Sequence, residues 1–105
     1  MNNNEPFLPV RVAFAKQHAK RSIVELLVNR GWVIASQLCR LLDVKRLPQK
    51  IRDNLPYSSV TGRRRYALED IEKGIREGLI EEEYGKVLTT NIEYVKAKQR
   101  RLTYE

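Results

Sequence analysis

Apolar residues recur along this chain at two periods. From about Val10 to Arg30 the spacing is helical: Phe14, His18 and Ala19 are followed by Ile23, Leu26 and Leu27, a 3.6-residue repeat. Ser22-Ile23-Val24-Glu25 has capping-box spacing, so a second helix starting at Ser22 is an alternative. Gly31 is a natural stop. Trp32, Val33 and Ile34 are bulky and β-favouring, enough for a very short strand. Ala35 to Leu42 then reads as a short helix with Leu38, Leu41 and Leu42 inward. After Lys45-Arg46 a second short helix is expected from about Pro48 to Leu55, with Leu47, Ile51 and Leu55 at four-residue spacing and proline in the first turn.

The period then changes to two. Tyr57 to Val60 and Arg63 to Leu68 can form a hairpin around Thr61-Gly62, where glycine tolerates positive φ. Tyr66 and Leu68 are expected on one strand face, with Arg63, Arg65 and Ala67 on the other. Helical spacing returns from Glu69, with Ile71, Ile75 and Leu79 in line. Gly85 is a predicted break. Thr90-Asn91-Ile92-Glu93 has capping-box spacing and is expected to open a last helix to about Arg101. Trp32 is expected in the core beneath the hairpin.

Charge adds what the pattern leaves open. The chain has 105 residues, with 20 Lys+Arg against 13 Asp+Glu, a net of +7. Residues 1–80 carry 15 basic and 8 acidic groups, and residues 81–105 carry 5 of each. The positive field therefore belongs to the first three quarters, which points to a polyanionic partner. No apolar run approaches membrane-spanning length, and the first ten residues lack a signal-peptide pattern; a cytoplasmic, DNA-associated protein is expected. A single cysteine, Cys39, fits a reducing compartment. His18 is the sole histidine, and no spaced ligand or nucleophile set accompanies it. No metal, cofactor, small-molecule ligand or membrane partner is expected, and the protein does not read as an enzyme.

Two stretches carry a resemblance. IVELLVNRGWVIASQLCRLLDV resembles the first half of a winged helix-turn-helix, and GRRRYALEDIEKGI resembles the wing and following helix of MerR-type regulators and phage excisionases. Together they cover roughly Ile23 to Ile75. Gln49 stands where the usual pattern has an aliphatic residue, with the aliphatics at Leu47 and Ile51, so the turn is expected to be longer or set differently. The resemblance implies a mainly α fold with a small β-hairpin, a winged helix-turn-helix with a C-terminal helical extension. Residues 1–8 would be a flexible start, 9–80 the DNA-binding domain, and 81–105 the extension.

The implied function is sequence-specific binding of double-stranded DNA, as a small transcriptional regulator or a plasmid- or phage-type architectural factor in excision or partition. With Leu47, Ile51 and Leu55 inward, Lys45, Arg46, Gln49, Lys50 and Asn54 form a face of donors and amides suited to a major groove. Arg52 sits at its flank, suited to phosphate. Arg63, Arg64 and Arg65 would hold adjacent backbone or minor groove. A homodimer is expected, with Ile92, Val95 and Leu102 as the pairing line of the last helix; that helix folding back on its own domain is the alternative. Two other functions fit the same features: a protein–protein adaptor with a winged-helix fold, and an RNA- or ribosome-binding protein.

Overall fold

The computed structural model describes residues 20–104, with side chains from 20 to 101. The expected loose start at 1–8, the helical stretch from Val10 to residue 19 and the side chain of Leu102 lie outside the described residues. The described chain is mainly helical with one small three-stranded antiparallel sheet.

Residues 20–30 form helix α1. Ser22 lies within this helix; whether the stretch from Val10 is one helix or two rests on residues outside those described. Ile23, Val24 and Leu27 face the core. Gly31 ends the helix at φ +88°, donating its N–H to the Leu27 carbonyl at 2.7 Å. A side chain rarely adopts that angle, which is why glycine stands there. Strand β1, Trp32–Ile34, follows at once and leads directly into helix α2, Ala35–Leu41. Gln37 secures this junction, its Oε1 accepting the Ile34 N–H at 3.1 Å.

Residues 42–48 connect α2 to helix α3, Gln49–Asn54. Asp43 takes φ +56°, and Leu42 and Leu47 on either side of it are buried. The hairpin pairs β2, Ser58–Val60, with β3, Arg63–Ala67, through Thr61-Gly62. Both turn residues have positive φ, +52° and +77°, the signature of a type I′ turn whose twist matches that of the strands. β3 also pairs antiparallel with β1, giving the order β1-β3-β2. Val33 lies opposite Tyr66 and Ile34 opposite Arg65.

Leu68 begins helix α4, Leu68–Arg76, rather than completing β3, so it does not share a strand face with Tyr66. The Leu68 N–H donates to the Gly31 carbonyl at 2.9 Å, which turns the chain out of the sheet. Helix α5 runs unbroken over Glu82–Tyr104. Gly85 is not a break. It is buried against α4, where a β-carbon would lie 2.9 Å from Ile75 Cγ2, so its lack of a side chain serves helix approach. Thr90 does not start a helix either; its hydroxyl donates back to the Lys86 carbonyl at 2.9 Å, within α5. The chain reverses between α4 and α5 at Gly78, φ +78°.

One core unites these elements, with Val24, Leu27, Val33, Leu38, Ile51, Tyr66, Ile71 and Ile92 buried within it. Ile92 and Val95, expected to face a second subunit, are 1% and 4% exposed and pack inside this core. The helix folds back on its own domain because Leu88, Ile92 and Val95 follow an i, i+4, i+7 line. Lys96 adds an ion pair to Glu72 of α4 at 2.9 Å.

Candidate nucleic-acid interface

Of the sequence-predicted residues, seven gather in three groups around α3, and Arg63 and Arg65 lie on the opposite sheet face. Only Ile51 of this helix is buried, so α3 stands out as a short ridge. Its crest is Gln49 and Asp53, paired with each other: Gln49 Nε2 donates to both carboxylate oxygens at 2.9 Å. One flank carries Lys50 and Asn54, both engaged locally. Lys50 Nζ donates to the Gly78 carbonyl at 2.9 Å, and Asn54 Nδ2 to the Lys50 carbonyl at 2.9 Å.

The other flank faces α2 and β3. There Lys45, Arg46, Arg52 and Arg64 line a concavity of about 300 Å³, together with Ser36 and Cys39 of α2. No carboxylate lines it. Four cations converge here, and the Asp53 carboxylate on the crest of α3 offsets them only in part, through Arg64, so a positive local potential remains. Arg64 is the most constrained of the four. Its guanidinium carbon lies 3.9 Å from the centroid of the Tyr57 ring. Its Nη1 donates to the Arg52 carbonyl at 3.1 Å and to the Tyr66 hydroxyl at 3.4 Å. The Tyr66 hydrogen bond holds Arg64 more firmly protonated than an ordinary arginine. Arg64 thus lies against α3. The Cys39 thiol has its pKa raised by burial, against a smaller opposing effect of the Leu47 backbone.

Strand alternation sends Arg63 and Arg65 to the opposite sheet face from Tyr66. Arg63 is exposed at the tip. Arg65 lies over the Trp32 ring, 3.9 Å from its centroid. Arg30 lies over the same ring at 3.5 Å. Trp32 is therefore not beneath the hairpin; it is half-buried on the outer face, because the inward member of its three-residue strand is Val33. Arg30 and Trp32 belong to a cationic surface that sequence reasoning missed. The available signal was an arginine two positions before a tryptophan, across a helix-ending glycine.

All ion pairs among the described residues use lysine. None of these arginines forms an ion pair there. Among the described residues no group of three or more His, Cys, Asp and Glu could hold a metal, and no helix is long and apolar enough to cross a membrane. Comparison of the chain with protein-family models, with curated proteins and with solved structures finds no match.

Proposed function

We propose that the protein binds double-stranded DNA through α3 and the face of the hairpin that carries Arg64, in the manner of a winged helix-turn-helix. The carrying observation is the convergence of Lys45, Arg46, Arg52 and Arg64 on one carboxylate-free concavity beside α3. Guanidinium groups in that arrangement suit phosphate oxygens, which accept paired N–H bonds. An α-helix with its side chains is about 10–12 Å across, which a major groove about 12 Å wide admits. Gln49 on its crest is the side chain placed to meet a base edge, with Lys45, Arg46, Arg52 and Arg64 fixing the backbone beside it. The element order α1, β1, α2, α3, β2, β3 also agrees with this reading.

Electrophoretic retardation of a random duplex tests it. Wild type is expected to shift duplex at micromolar concentration in low salt. Arg46→Gln with Arg52→Gln is expected to weaken the shift and to flatten the log–log salt slope by about 1.8, roughly 0.9 per lost phosphate contact. Absence of any shift by wild type at low salt overturns the reading.

A further inference from the structure

The same sheet carries a second cationic surface on its other face. Arg30, Arg63 and Arg65 line a concavity of about 520 Å³ floored by Trp32 and Ile34. No carboxylate lines it. Arg30 is held in place by protein acceptors: Nε donates to the Trp32 carbonyl at 3.1 Å and Nη2 to Gln37 Oε1 at 3.1 Å. Gln37 Oε1 is itself fixed by the Ile34 N–H. Arg65 stacks on the same indole. Stacking over an aromatic ring orients a guanidinium while leaving its in-plane N–H groups for an external acceptor.

Charge and shape narrow the occupant. Three arginines gathered without a counter-charge call for an oxyanion chain. The Trp32 π surface is already occupied by guanidinium groups, so it offers neither a stacking platform to an unpaired base nor an anchor pocket to a peptide. What remains is N–H donors, the chemistry that meets phosphodiester oxygens. This face lies opposite the Arg64–Tyr66 face of β3. A duplex seated on α3 and the first concavity therefore leaves it turned toward solvent.

We propose that the outer sheet face, through Arg30, Arg63 and Arg65, holds the backbone of a second duplex while α3 and the inner concavity hold the first. One domain would then bridge two DNA segments. The inference rests on the proposed duplex binding by α3, and bridging is the added step.

The test uses a biotinylated duplex on beads, the full chain, and a fluorescent second duplex whose recovery is measured. Wild type is expected to recover the second duplex. Arg30→Gln with Arg65→Gln is expected to cut recovery at least about tenfold, while affinity for a single duplex in solution stays within about twofold of wild type. Arg63→Gln alters an exposed side chain with no hydrogen bond among the described residues; it is expected to lower recovery in the same direction without affecting folding.

Unchanged recovery in these variants, with the first duplex still bound, overturns bridging by this face and leaves the α3 reading intact. A parallel loss of single-duplex affinity also overturns it, because the face then serves the first duplex. Poly-glutamate that displaces the second duplex more readily than unlabelled duplex does overturns nucleic acid as the occupant. If the bead-bound duplex retains no wild-type protein, both readings fall.

Discussion

Arg64 of the hairpin donates a hydrogen bond to the main-chain carbonyl of Arg52, in the last turn of α3, at 3.1 Å. One side chain thereby fixes the hairpin against the helix proposed to enter DNA. The guanidinium plane also rests on Tyr57, an arrangement a lysine ammonium does not reproduce. Arg64→Lys is therefore expected to weaken duplex affinity about tenfold, as loss of one charge-assisted bond does. Arg63→Lys keeps an exposed charge and is expected to remain within about twofold of wild type. Titration of both variants by fluorescence anisotropy checks the contrast.

Asp53 sits on the crest of α3 and holds Gln49 through both carboxylate oxygens. A carboxylate there repels phosphate and occupies the amide suited to a base edge. Asp53→Asn is expected to raise affinity for random duplex several-fold, with a smaller gain for any preferred sequence. Competition between random and selected duplexes measures both.

Two buried helix glycines differ in what opposes them. A β-carbon at Gly74 would meet Leu55 Cδ1 at 2.9 Å, the far end of a flexible side chain. At Gly85 it would meet Ile75 Cγ2 at the same 2.9 Å, a methyl fixed by β-branching. Alanine gains up to about 1 kcal/mol of helix propensity at either place. Gly74→Ala is expected to be near neutral, and Gly85→Ala to destabilise by about 1–2 kcal/mol through overpacking. Urea unfolding of the two variants compares them directly.

Cys39 lines the inner concavity beside Arg46 and Arg52, so it reports on that surface. Burial raises its pKa, and only the thiolate reacts. Alkylation is expected to be slow at neutral pH and to accelerate as pH rises toward the raised pKa. Duplex DNA at saturating concentration is expected to slow alkylation further, as followed by mass spectrometry of the single thiol. An unchanged rate with duplex bound would remove this concavity from the interface.

Local chemistry made much of the fold legible before the structure. Leu47, Ile51 and Leu55 at four-residue spacing marked α3, and Thr61-Gly62 between β-favouring residues marked the hairpin. Gly85 misled because helix propensity counts its flexibility and not the Ile75 methyl facing it. Ile92 and Val95 read equally as an intermolecular or an intramolecular line, since periodicity shows that a face is buried and not by what. Trp32 was misassigned because a three-residue strand shows no alternation; its outward phase follows from pairing β1 with β3, a contact distant in sequence. Arg30 joined the site only through that pairing. The division of Lys45, Arg46, Lys50 and Arg52 between the two flanks of α3 depended on the turn at 42–48.

The central claim is that the carboxylate-free flank of α3 binds duplex backbone. Its most direct test is the salt dependence of duplex affinity for wild type and for Arg46→Gln with Arg52→Gln. The account predicts a steep inverse dependence for wild type and a slope shallower by about 1.8 for the variant. Equal slopes for the two proteins, or no measurable affinity at low salt, would contradict it.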